Sequence, residues 1–253
     1  MMISYPLTRA HRLQLARSFS SVPQVDISID CVIEDQMGRA YVDSVDNPQL
    51  WMIEQDQFFC YYAGDFSSPA GREFLGQTPS GRMLMAGSPG WHDAVQSVFG
   101  ERLMRLKRWS YESRSLRVEH LQQLAAGNPH TPAIQKVDTA LAAVDSPYLS
   151  IGGFESPEDF VQRGIGFCLP KDNRIIGGAY ASLVCSDAIE VSIVVDENFY
   201  RQGIATALAC QLLLWCLEHH LAPHWDAANH ESCRLAEKLG YTYSSEYTAW
   251  YLK

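Results

Sequence analysis

Residues 194–208, Val-Val-Asp-Glu-Asn-Phe-Tyr-Arg-Gln-Gly-Ile-Ala-Thr-Ala-Leu, run from an apolar strand through a short loop directly into helix-forming sequence. The first N–H groups of a helix have no intrahelical partner and sit at the positive end of its dipole. Such a terminus accepts phosphate where small side chains let the ligand approach the backbone, and Gly203 and Ala205 are small. A glycine that only packs closely at a strand–loop–helix junction leaves the same trace, so Gly-x-Ala by itself does not discriminate. Two further patterns follow in order, Asn229-His230-Glu231-Ser232 and Lys238-Leu239-Gly240-Tyr241. Asn229 also reads as a plain helix N-cap, and both roles are compatible.

These linked features resemble the acetyl-CoA-binding motif of the GNAT family of N-acetyltransferases, written Arg/Gln-x-x-Gly-x-Gly/Ala after a Val-Asp-Pro-Glu-Tyr-like strand end. Gly203 and Ala205 match its last two positions, and residues 190–196 match the preceding strand. The family's downstream Asn-x-x-Ser/Ala and Lys-x-Gly-Phe/Tyr match the two later patterns. Pro223–Asn229, with residues 38–43 and 62–65, is similar to a subgroup that includes zwittermicin A resistance-type acetyltransferases. The resemblance covers most of the chain and is specific in its C-terminal third. It implies an α/β (α+β) protein whose mixed, mostly antiparallel sheet is flanked by helices. It also implies an acetyl-CoA-dependent N-acetyltransferase acting on an amine of a small molecule by direct attack on the thioester.

By the same resemblance, backbone groups of Ile193 and Val195 would pair with the pantetheine chain. Arg201, Gln202, Gly203, Ile204, Ala205 and Thr206 would hold the pyrophosphate, and Asn229 and Ser232 would touch the cofactor near the next helix. A primary amine, with a pKa of roughly 10.4, is mostly protonated at neutral pH, so transfer is helped by a base. Glu190 matches a frequent acidic position of the family and is the first choice; a strand-surface carboxylate would look the same. Asp226 and His224 are runners-up. Two positions depart from the family. Tyr200 stands where the signature begins with Arg or Gln, and Ala236 stands where many members carry the tyrosine that protonates the departing thiolate. Together the two departures motivate an alternative, a GNAT-fold module that holds CoA or a ligand without turnover.

Other reactive residue types have plainer readings. His219 and His220 are adjacent, so on a helix they point apart; near its C-terminus they suit the dipole better than a metal. Cys233, in the first turn of a helix, could be a stabilised thiolate, but a buried inert cysteine is the commoner case. Tyr241, Tyr243, Tyr247, Trp250 and Tyr251 alternate like packing residues on a terminal strand, or supply a substitute acid. The seven cysteines are widely spaced with no CxxC pair, which argues against a disulfide framework or a structural zinc site and suits a reducing cytoplasm.

The elements that must position these residues are legible in outline. Residues 7–19 read as an amphipathic helix with Leu7, Leu13, Leu15 and Phe19 to one side. Segments 24–34, 39–43 and 50–63 read as strands, 65–90 as loop-rich, 91–98 as helix and 102–112 as strand. The stretch Gly127-Asn128-Pro129-His130-Thr131-Pro132 reads as a linker, dividing an N-terminal αβ region (1–128) from an acetyltransferase domain (129–253). Helix-like spacing resumes at Ile134, Val137, Leu141 and Val144. Ser156 caps a short helix with Pro157 at its first position. Residues 165–169, 175–184 and 189–196 then form a meander through turns at Asp172-Asn173 and Ser186-Asp187. Helix 203–220, strand 224–227, helix 229–239 and strand 243–252 complete a β-β-β-α-β-α-β order with one parallel crossover. The net charge of −9 disfavours a nucleic-acid partner. The N-terminus has no secretory pattern and no apolar run spans a bilayer, so a cytoplasmic protein without a membrane partner is expected. An exposed edge at the terminal strand would offer a homodimer contact.

Overall fold

The computed structural model describes all of residues 1–253. The chain forms two compact units, Met1–Arg108 with Glu246–Lys253, and Trp109–Ser245. The expected edge at 128/129 falls inside the second unit. Two strands run through both, β6 (Leu103–Glu112) and β12 (Thr242–Leu252).

The first unit contains β1 (Ile3–Ser4), α1 (Arg9–Phe19), α2 (Ser28–Ile33), β2 (Arg39–Val42), β3 (Trp51–Gln55), β4 (Phe59–Ala63), α3 (Pro69–Leu75), β5 (Arg82–Gly87) and α4 (Trp91–Phe99). Its sheet runs β1-β2-β3-β4-β5-β12-β6, with β4 parallel to β5 and the other pairs from β1 to β12 antiparallel. Side chains alternate between two cores, as the strand period of two requires. Tyr61, Met83, Met85 and Ala249 meet Leu15, Phe19, Ile29 and Val32 on one face. Cys60, Tyr62, Leu84 and Trp250 meet Phe74, Leu75, Trp91 and Val95 on the other.

Several expectations for this half are corrected. Segment 24–34 is not a strand: the Asp26 carboxylate accepts the Ser28 N–H (2.8 Å) and starts α2, which buries Ile29 and Val32 three residues apart. Local side-chain-to-backbone bonding outweighs the β-branched composition there. Segment 50–63 is two strands, because Asp56 and Gln57 both adopt positive φ (50° each) and turn the chain back. Within 65–90, Ser68 caps α3 by accepting from the Gly71 N–H (2.9 Å), and β5 follows. Leu13 is exposed on α1, about half a helical turn from Leu15 and Phe19. In the sheet the terminal strand lies between β5 and β6 and pairs with β5 through Trp250–Leu252; of its aromatics Trp250 is buried, Tyr247 and Tyr251 are part-buried and Tyr243 is exposed.

The second unit contains α5 (Val118–Ala126), β7 (Gln135–Lys136), α6 (Thr139–Ala142), α7 (Pro157–Arg163), β8 (Gly166–Lys171), β9 (Arg174–Val184), β10 (Ala188–Val195), α8 (Ile204–Glu218), β11 (Ala222–Ala227) and α9 (His230–Leu239). Its sheet runs β6-β11-β10-β9-β8-β7, antiparallel except for β10 and β11. This is the mixed, mostly antiparallel sheet flanked by helices that the resemblance implied. Asp172 and Asn173 have φ of 49° and 60°, the left-handed pair that a tight hairpin demands. The helix-like spacing at 134–144 yields only the four-residue α6, because the Asp138 side chain caps Leu141 N–H (2.8 Å) after an extended β7. Helix α8 is apolar on most sides and fills the centre of the unit, burying Leu208, Leu212 and Leu213. Gly240 ends α9 at φ 103°, and the N–H groups of Gly240 and Tyr241 both return to the Ala236 carbonyl. That left-handed residue is what turns Tyr241 into the core. No helix of the chain is long and apolar enough to cross a membrane.

Candidate functional site

The site begins where β10 and β11 separate. They pair in parallel only through Ala188↔Ala222, Ile189↔Pro223 and Glu190↔His224. On the other side of β10 the register jumps between Glu190 and Val191, leaving Ser182 of β9 as an extra residue whose hydroxyl donates to the Glu190 carbonyl (3.3 Å). A bulge of this kind sharpens the local twist, and from it β10 continues with β9 while β11 turns to β6 at Trp225–Ala227. The result is a cleft of about 840 Å³ lined by β10, the following loop, the start of α8, β11 and α9.

Glu190 sits at the point of divergence. Its Oε1 accepts the Asp226 backbone N–H (3.1 Å), which lies just past the paired stretch of β11. The Tyr241 hydroxyl, fully buried, donates to the Pro223 carbonyl (3.0 Å), and burial first, then Cys216 and Glu190, holds its pKa well above the usual value. Tyr241 is thus held in the core by its phenol and is not among the residues that line the cleft. Ala236 is also fully buried and brings no polar group.

The loop between β10 and α8 is built by Asp196. Its carboxylate is buried and accepts from the Asn198 N–H (3.0 Å), the Asn198 amide (2.8 Å) and Arg174 (2.8 Å). The Asn198 backbone bond is the main reason its pKa lies below the usual carboxylate value. Arg201 and Gly203 both take positive φ (61° and 88°) before α8 begins at Ile204. No side chain caps this helix and its first turn holds no acidic residue, so its N–H groups stay available to a ligand. A Cβ on Gly203 would stand 3.1 Å from Asn128 Nδ2, and at that φ any L side chain is strained.

Of the residues expected at a cofactor site, Ile193, Val195, Arg201, Gly203, Ile204, Ala205, Thr206, Asn229 and Ser232 line this one cleft. Gln202 does not: it is exposed, with its amide on the Asn198 carbonyl (3.4 Å). Glu190 lies at the inner end rather than among the lining residues. Asp226 lines the cleft, and His224, two residues before it on β11, is the register partner of Glu190. Asn229 caps α9, accepting the Ser232 N–H (2.8 Å) while facing the cleft, so its two readings hold together geometrically. Ser232 Oγ accepts from Trp225 Nε1 (3.0 Å).

The structure adds residues that the sequence reading left unassigned. Lys238 lines the cleft and donates to Thr206 Oγ1 (3.1 Å), carrying a cation to the start of α8. With Glu231, Arg234 and Leu235 it forms one face of α9, a three-and-four spacing visible in the sequence. Phe199 and Tyr200 also line the cleft, with Lys171 4.7 Å over the Phe199 ring. Asn128 and His130 contact the loop from behind. Cys233 is buried in the core beside Tyr111 and does not line the cleft. His219 stacks on Trp215 (3.8 Å) and donates to its carbonyl (2.8 Å) at the helix end.

The family model for the GNAT acetyltransferases matches residues 19–250. A Bacillus subtilis (strain 168) protein named uncharacterized N-acetyltransferase YdfB is 22% identical over 223 residues, covering 85% of each chain. Among solved structures, a GCN5-related N-acetyltransferase-like protein from Streptococcus suis 89/1591 is 26% identical, with a TM-score of 0.84 over 97% of this chain and 100% of that one. An acetyltransferase from the GNAT family of Colwellia psychrerythraea shares the fold at 11% identity, with a TM-score of 0.57 and full coverage of both chains.

Proposed function

Because the chain belongs to the GNAT acetyltransferase family, we propose that it is an acetyl-CoA-dependent N-acetyltransferase acting on an amine of a small molecule. The observation that carries this reading is one cleft that joins the unpaired inner edge of β10 to the uncapped N-terminus of α8. An extended polar chain ending in a diphosphate matches that pair of surfaces. The backbone of Ile193 and Val195 offers strand-like hydrogen bonds to the extended part. The N–H groups from Gly203 to Thr206, with Arg201 and Lys238 beside them, suit the diphosphate. This cationic end stands out against a whole-chain charge of −9.

Acetyl-CoA, when bound, supplies an acyl carbon activated as a thioester and open to direct attack by an amine. Glu190 is the group placed to take the amine's proton, at the inner end of the cleft where β10 and β11 part. The Asp226 N–H on Oε1 fixes the carboxylate there, leaving Oε2 on the other side of the carboxyl group. Trp225, Ser232 and Leu235 wall the cleft from the β11–α9 side, beside Asp226, Glu231, Arg234 and Lys238. The likeness of Pro223–Asn229 to zwittermicin A resistance-type acetyltransferases favours an aminated metabolite or antibiotic as acceptor.

Buried Ala236 favours a second reading, a protein that binds CoA without turnover. The two separate in a thiol-release assay with acetyl-CoA and a panel of small amines, aminated antibiotics included. Thiol release that depends on an amine supports the transferase. Binding of acetyl-CoA with no release above the spontaneous rate for any amine supports the binding module.

A further inference from the structure

The segment after α5 reads as a linker, yet it holds the back of the phosphate loop. Asn128 Nδ2 donates to the Gly203 carbonyl (2.9 Å), and His130 Nε2 donates to the Gln202 carbonyl (3.1 Å). The Asn128 side-chain oxygen is used as well, accepting the His130 N–H (3.0 Å), so one amide orientation satisfies both ends. The turn itself is tied to α5: Asn128 N–H (3.1 Å) and Thr131 Oγ1 (2.8 Å) both donate to the Ala125 carbonyl. Ala125 packs in the same core as Ala209, Cys210 and Leu213 of α8. The two carbonyls are therefore held from a packed platform and not from a free loop.

A trans peptide holds its C=O and the next N–H in one plane, pointing in opposite directions, and the chain has no cis peptide bond. Fixing the Gln202 carbonyl toward His130 aims the Gly203 N–H the other way. Fixing the Gly203 carbonyl toward Asn128 aims the Ile204 N–H likewise. Both Gly203 and Ile204 line the cleft on that other side. The Gln202–Gly203 plane follows Arg201 and precedes Gly203, both at positive φ, and glycine rotates freely between wells; the Gly203–Ile204 plane is also held by the Ala207 N–H on the Gly203 carbonyl (3.0 Å), to which Asn128 adds a second bond. We propose that Asn128 and His130 are positioning residues for cofactor binding, which orient the Gly203 and Ile204 N–H donors toward the diphosphate. This rests on the cofactor reading above and assigns a role to a segment outside the signature motif.

The decisive variant is Asn128→Leu. It keeps the approximate size and adds no charge near the diphosphate, but loses the donor to Gly203. Calorimetry on the full chain compares acetyl-CoA with acetyl-pantetheine, which lacks the diphosphate, each titrated to millimolar concentration. The expected result is acetyl-CoA binding weakened roughly ten- to hundredfold, with acetyl-pantetheine binding and the melting temperature unchanged. His130→Ala should weaken acetyl-CoA in the same selective way, and Asn128→Gln, which restores a donor, should recover part of the loss. Equal weakening of both ligands, or of neither, overturns the proposal. A folded wild type that binds acetyl-pantetheine but gains nothing from the diphosphate overturns it while sparing the pantetheine part of the cofactor reading. A wild type that binds neither overturns both.

Discussion

Glu190 joins two functions that one substitution can separate. Its Oε1 holds the Asp226 N–H where the parallel ladder ends, and its charge is the proposed proton sink. A glutamine keeps an acceptor oxygen but takes no proton. Glu190→Gln should therefore fold normally and bind acetyl-CoA as the wild type does, with kcat lowered about 10²- to 10⁴-fold; steady-state kinetics beside a thermal melt checks this. Asp196 makes a different prediction. Its folded-state pKa is depressed, mainly by the Asn198 N–H, so its contribution to stability is complete above the ordinary carboxylate range. That contribution declines as the pH falls through the lower folded value. Asp196→Asn should lower the melting temperature at neutral pH and narrow the gap to wild type in acid, measured by melts from pH 7 to pH 3. At this scale residue types were legible and partnerships were not. Gly203, Ala205 and Asn229 stand out because few residues serve a phosphate-accepting helix start. Lys238 stood out only as part of its Lys-x-Gly-Tyr pattern and not as a cation at the helix start, since only folding brings it to Thr206 from 32 positions away.

The elements of the C-terminal part were the more readable ones because their punctuation is local. Ser156 and Pro157 open α7, Asp172-Asn173 turns β8 into β9, and Gly240 closes α9. Each signal is spent within a few residues of where it acts. In the N-terminal half the deciding signals were weaker or of an uncommon type: an aspartate side chain starting α2, and Asp56-Gln57 doing a turn that Asn-Gly usually does. The separation of β10 from β11 has no local signature, since the bulge at Ser182 is a property of strand pairing. Helix α9 allows a test of how an element and a site share one residue. Asn229 caps it through the Ser232 N–H and also faces the cleft. Aspartate caps as well as asparagine but adds a negative charge at the ligand. Asn229→Asp should leave stability within about 0.5 kcal/mol and weaken acetyl-CoA binding roughly tenfold or more, whereas Asn229→Ala should cost about 1 kcal/mol of stability. Denaturant melts and titrations on the two variants separate the roles.

The two units of the molecule interleave along the chain in a way no linker composition announces. The proline-containing stretch at 127–132 lies within the second unit, where it backs the phosphate loop, and the last eight residues return to the first unit. There Ala249 enters one core and Trp250 and Leu252 the other, with Trp250, Tyr251 and Leu252 paired to β5. A chain ending at Ser245 should therefore lose amide-exchange protection across β3, β4 and β5, because two cores each lose an interior strand. The whole-molecule claim is that a cleft in an acidic protein, with Arg201 and Lys238 at its α8 end, takes a diphosphate-bearing acyl donor. Titration of the wild type and Gly203→Glu with acetyl-CoA tests that most directly. The substitution adds an anion and a strained left-handed side chain at the start of α8. The account predicts saturable binding by the wild type and none by a folded Gly203→Glu. Equal binding by both, or none by a folded wild type, would contradict it.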